Sequence, residues 1–94
     1  MDTADARTVL RKELARYRAK PYGELVQQLL GKQETYEVKS LSGVTYQLEI
    51  QAFWEDKPND VLRVVGAIDD RGIRAYAPMS EAFLIAPSGE FVDE

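Results

Sequence analysis

Hydrophobic and polar residues alternate along the stretch 44–54, where every even position is apolar and Thr45, Gln47, Glu49 and Gln51 fill the odd ones. A period of two over this length is the pattern of a half-buried β-strand, with an even face against a core and an odd face toward water. The alternation fails only at its end, where Phe53 and Trp54 stand side by side. Neighbours on a strand point to opposite faces, so both rings cannot enter the core.

Upstream the period changes. Ala6, Leu10, Leu14 and Tyr17 recur at helical spacing and predict a helix over 3–19. Asp2 or Thr3 can cap its start, and Asp5 lies in the first turn, where the helix dipole favours an anion. Pro21 ends it, because the residue before a proline is pushed out of the helical region. The same proline suits the first turn of a second helix, with Leu25, Leu29 and either Val26 or Leu30 inward and Gly31 as a left-handed cap. The pair forms a helical hairpin or a kinked helix.

The stretch 35–41 predicts a strand joined to 44–54 through Ser42 and Gly43. A two-residue loop would set Val38 against Gln47 and carry an apolar side chain onto the polar face. The loop 41–43 instead sets Val38 against Tyr46 and Tyr36 against Leu48, with Gly43 in the left-handed position of a bulge. The polar stretch 55–60 is a loop, and 61–69 and 73–78 are further strands joined by a turn at 69–72. That turn would pair Ile68 with Ile73, Gly66 with Ala75 and Val64 with Ala77. Gly66, Ala67, Ala75 and Ala77 are small enough to admit a helix or another backbone closely. Ser80 can cap a short helix over 81–85 that lays Phe83 and Leu84 on the sheet. Residues 87–89 then turn the chain, and 91–92 add a short extended piece.

The expected fold is a single α+β domain over 1–94. An N-terminal helical hairpin or kinked helix packs on a four-stranded antiparallel β-meander, followed by a short C-terminal helix.

Composition narrows the chemistry. The 94 residues, 45% hydrophobic and 30% charged, can build one core. No apolar stretch reaches the length of a membrane span, and the charged N-terminal sequence does not read as a secretory signal, so the expected location is cytoplasmic. The chain has no Cys and no His, which removes disulfides, thiolate chemistry and the commonest neutral-pH base and metal ligand. No cofactor is expected, and catalysis would fall to carboxylates, Lys, Tyr or Ser. The net charge of −4 is uneven: residues 1–20 hold six basic groups and three acids, whereas 21–94 hold six basic groups and thirteen acids. The two parts should attract each other, or one faces a charged partner.

Three groups of residues are candidates. Glu55, Asp56 and Asp60 with Asp69 and Asp70 could converge on a hard cation, although turns use the same residue types. The Arg and Lys residues of the first helix could track phosphates, although they equally suit a solvated helix face. Among the aromatics, Tyr36 and Tyr46 read as core, while Phe53, Trp54 and Tyr76 could line a pocket mouth or anchor a partner. Phe53, Trp54, Asp56, Lys57 and Tyr76 are the predicted binding residues.

The runs Phe53-Trp54-Glu55-Asp56-Lys57-Pro58, Arg63-Val64-Val65-Gly66-Ala67-Ile68-Asp69-Asp70 and Ala86-Pro87-Ser88-Gly89-Glu90-Phe91-Val92 resemble small uncharacterised bacterial α+β proteins. The resemblance covers most of the chain after residue 33 and implies no activity. A helix leading into an antiparallel meander is also similar in outline to cystatin-like folds. Inhibitory cystatins carry a Gln-x-Val-x-Gly hairpin, whereas Gln47-Leu48-Glu49-Ile50-Gln51 has neither that valine nor that glycine, so protease inhibition is not implied. The expectation is therefore a non-catalytic module that binds another protein or a second copy. A small-molecule pocket between sheet and helices, conceivably catalytic, is the alternative, and nucleic-acid binding through the basic helix ranks third. No membrane partner is expected.

Overall fold

The computed structural model describes residues 2–70 and 79–92. Helix α1 (Thr3–Arg18) begins at Asp2, whose carboxylate accepts the backbone N–H groups of Ala4 and Asp5. After Pro21 a separate helix α2 (Tyr22–Leu29) follows, ending before Gly31 at φ 71°. Strands β1 (Glu34–Lys39), β2 (Thr45–Trp54), β3 (Leu62–Asp69), β4 (Met79–Ile85) and β5 (Phe91–Val92) form one antiparallel sheet in the order β1-β2-β3-β4-β5.

The first hairpin has the expected register, with Val38 opposite Tyr46 and Tyr36 opposite Leu48. Ser40 N–H donates to Val44 O, Gly43 N–H donates to Ser40 O, and Gly43 lies at φ 94°. This is a tight turn closed by a glycine bulge, in which the left-handed residue costs no Cβ clash. The last hairpin repeats the geometry: Ala86 N–H donates to Glu90 O, Gly89 N–H to Ala86 O, and Gly89 has φ 93°.

The second half of the meander corrects the expectation. Residues 81–85 are not a helix but belong to β4, and among the described residues the sheet has five strands rather than four. Ser80 is a competent helix cap, but Phe83 and Ile85 alternate with Ala82 and Leu84, and pairing along β3 satisfies the backbone of the whole segment. Ile68, Gly66 and Val64 face Met79, Glu81 and Phe83 instead of Ile73, Ala75 and Ala77. The slip is an even number of residues, so it leaves the same face inward and periodicity alone could not expose it. The strand expected over 73–78, with Ala75, Tyr76 and Ala77, lies outside the described residues.

Both helices lie on the even face, α1 across β3 and β4 and α2 against β2. Leu10, Leu25, Leu29, Tyr46, Leu48, Ile50, Leu62, Val64, Ile68 and Phe83 are wholly buried between the layers. Gly66 sets the distance. A Cβ there would meet Leu10 Cδ1 at 3.0 Å, Leu14 Cδ2 at 3.1 Å and Ile50 Cδ1 at 3.2 Å, so α1 approaches β3 across the one position without a side chain. No helix of the described residues is long and apolar enough to cross a membrane.

Candidate functional site

The odd face of the sheet has no helix on it among the described residues, and its chemistry changes along the strands. Cross-strand pairing places Phe53, Arg63, Leu84 and Val92 in one row, Gln51, Val65 and Ala82 in the next, and Glu49, Ala67 and Ser80 beyond. Direct and diagonal neighbours in a sheet are within reach of one another, so Phe53, Val65, Ala82, Leu84 and Val92 form an apolar corner around the Arg63 side chain that gives way to polar residues toward Gln47 and Asp69. Phe53 is the most exposed member of that corner on β2, at 49%. Strand alternation sends it to this face because Ala52 and Trp54 take the core side.

Phe53 and Trp54 therefore have different roles. Trp54 is half-buried and packs on the edge of the core, opposite Leu62. The two meet again at the strand's margin away from β3, because β1 begins only at Glu34, opposite Ile50, and beyond it that side of β2 is met only by the bridge between Leu30 and Ala52. An open dish of about 750 Å³ lies there, lined by Leu30, Lys32, Gln33, Gln51, Phe53 and Trp54. Asp56 and Lys57 are exposed in the following loop but do not line it. Tyr76 lies outside the described residues.

The acidic candidates do not converge. Loop 55–60 precedes β3 and Asp69 closes it, a separation of about 25 Å along an extended strand of this length. Glu55 is engaged with Arg63, whose Nε and Nη2 donate to its two carboxylate oxygens at 2.6 and 2.9 Å. That bond holds the Glu55 carboxyl below its ordinary range and raises the guanidinium of Arg63. The pair flanks Phe53, since Arg63 is its cross-strand neighbour. No cluster of potential metal ligands occurs among the described residues.

The cations of α1 are largely turned on the protein itself. Arg7 and Arg11 reach Glu81 at 3.7 and 3.1 Å, Arg16 reaches Glu13 at 2.9 Å, and Lys20 reaches Glu24 at 2.9 Å. The guanidinium of Arg18 lies over Phe83 and Phe91, 4.8 and 5.5 Å from their ring centres, and these rings stack edge to face at 5.8 Å.

One constellation escaped the sequence reading. Glu13 is buried under α1, and Tyr36 Oη donates to it at 3.0 Å. Tyr17 Oη donates to Glu34 at 2.5 Å, and Gln28 donates to the other oxygen of Glu34 at 2.7 Å. Burial raises the pKa of Glu34, but the bonds from Tyr17 and Gln28 and the charges of Lys20 and Arg16 outweigh it and leave it below the ordinary value. Burial and the bond to Glu34 push the Tyr17 phenol up strongly. A second link joins Asp5 to Tyr46 Oη at 2.7 Å and Ser42 Oγ at 2.8 Å. These bonds lower Asp5, while burial and the bond to Asp5 push Tyr46 up to about 12. Among the described residues the buried polar side chains are thus partnered, and the networks fasten α1 to β1 and β2. A trace was present in the sequence: Glu13 lies three residues after Leu10 and beside Leu14, on the stripe read as apolar.

Searches against protein-family models, curated proteins and solved structures gave no match.

Proposed function

We propose that this protein is a non-catalytic interaction module that binds another protein through the apolar corner of its open sheet face. The observation that carries this reading is the clustering of Phe53, Val65, Ala82, Leu84 and Val92 in adjacent rows with no element of the described residues upon them. Apolar and aromatic residues with an interleaved arginine are common in protein–protein contacts, and Phe53 has the aromatic area of an anchor. Arg63, paired with Glu55, stands within the row between Phe53 and Leu84, while Asp56 and Lys57 lie beside it, where charges steer and orient a partner more than they tighten binding.

A ligand pocket between sheet and helices receives less support, because side chains such as Leu10, Leu25, Leu29 and Ile50 occupy the layer between them and leave a groove of about 190 Å³ beside β1. Nucleic-acid binding is weakened by the intramolecular partners of Arg7, Arg11, Arg16, Arg18 and Lys20.

Phe53→Glu and Leu84→Glu test the reading. Both side chains stand on the open face, so the variants should fold with the far-ultraviolet spectrum of the wild type. Partners captured by immobilised wild-type protein should be lost at least tenfold on either variant, the scale of removing an anchor. Equal recovery of the same partners on all three proteins would sink the proposal.

A further inference from the structure

The outer edge of β1 is bare of any other strand among the described residues, and its sequence is complementary to itself. Because Ser40 N–H points to β2, alternation turns Val38 and Tyr36 toward β2 as well and leaves the backbone groups of Thr35, Glu37 and Lys39 pointing outward. Natural sheets blunt their open edges with a proline, a bulge, charged side chains or an inward-pointing charge. Within β1 there is no proline; its one inward charge, Glu34, is held at the start of the strand by Tyr17 and Gln28, and the stretch around Val38 keeps Tyr36 and Val38 inward between exposed Thr35, Glu37 and Lys39.

We propose that β1 is the seam of a homodimer in which two copies pair edge to edge, antiparallel, about a two-fold axis through Val38. Opposed residues in such a pair share a face, so the axis must pass through a residue or an equivalent even register. Centring on Glu37 sets that carboxylate against its own copy. Centring on Tyr36 sets Glu37 against Thr35 and leaves Lys39 without an acid opposite. Centring on Val38 sets Glu37 against Lys39 twice by symmetry, sets Val38 against Val38, and sets Tyr36 against Ser40. Opposite charges directly across a ladder stabilise it, whereas like charges oppose it, so charge selects the Val38 register.

The inward side also accepts a second strand. A groove of about 190 Å³ runs between α1 and β1, with Val9, Lys12, Val38 and Leu41 on its walls, and Leu41 is 107% exposed at its end. The second copy's strand extends the apolar row along this groove. The assembly is one continuous sheet of two five-stranded halves with both open faces on the same side. The seam uses none of the residues of the open-face corner, so it stands or falls independently of the proposed function.

Sedimentation velocity from micromolar to hundreds of micromolar protein tests the seam. The wild type should move to twice the 10.6 kDa mass of one chain. Glu37→Lys and Lys39→Glu each oppose like charges at two symmetric places and should raise the dimer dissociation constant about tenfold or more, while the double variant restores complementarity and dimerisation. Glu37→Pro removes an outward N–H without touching the β1–β2 ladder and should give a folded monomer. A wild type that stays monomeric throughout overturns the proposal. So does a dimer indifferent to the single charge reversals, or one that the double variant fails to restore; if the proline variant unfolds, the charge series decides alone.

Discussion

Gly66 is the residue on which α1 rests. The ends of Leu10, Leu14 and Ile50 already lie within van der Waals range of the Cβ it lacks, so a branched side chain there must push the helix off the sheet. Gly66→Val should therefore destabilise by about 1–3 kcal/mol, read as a lower urea midpoint with unchanged slope. The closeness of packing was legible in the small residues around Gly66, but which helix would approach was not. The hydroxyls of Tyr17 and Tyr36 illustrate the opposite case. Both residues looked like core aromatics, and what they hold, Glu34 and Glu13, is 17 and 23 positions away in sequence. Tyr17→Phe keeps the ring and removes the donor to Glu34, and should cost about 1–2 kcal/mol in the same measurement. A loss within error would mean that water replaces the phenol.

At the scale of elements, local signals decided what local forces control. The Asp2 carboxylate caps α1 through Ala4 and Asp5, and Asp2→Ala should lower stability by about 1 kcal/mol in thermal unfolding. Pro21 separates the helices as its geometry requires, and Gly43 and Gly89 close two hairpins of the same design. β4 shows where such signals fail. A serine cap and a few apolar residues describe a short helix as well as a strand, and an isolated short helix has little stability of its own. The open backbone edge of β3 settles the competition in favour of the strand. The candidate site was half legible for a related reason. The broken alternation at Phe53 and Trp54 marked the place, and strand geometry assigned Phe53 to the open face. The corner's other members Leu84 and Val92 come from strands whose register could not be read in advance.

For the whole molecule, the acid and alkaline limits follow from the same networks. Asp5, Glu34 and Glu55 have folded-state pKa values below their ordinary ones, so their contribution is complete above the ordinary carboxylate range and is lost as pH falls through the folded values. Urea midpoints should fall steadily below about pH 4, and Asp5→Asn together with Glu34→Gln should flatten that limb. Tyr17 and Tyr46 are raised, so their contribution is present below about pH 10 and disappears as pH rises through the folded values. Urea midpoints should therefore begin to fall near pH 10 and go on falling as pH rises past the value of about 12 at Tyr46. A midpoint that is flat across either range contradicts the assigned partners. By itself the sequence determined the helices, the central strand, its inward face and the register of the first hairpin, because each depends on neighbours a few residues apart. The tertiary structure alone decided the pairing of β3 with β4, the gathering of Phe53, Val65, Ala82, Leu84 and Val92 into one corner, and the tyrosine–carboxylate links under α1. Alternation is unchanged by an even slip, and a hydroxyl does not announce its partner, so only the packed chain could choose among arrangements that periodicity leaves equal.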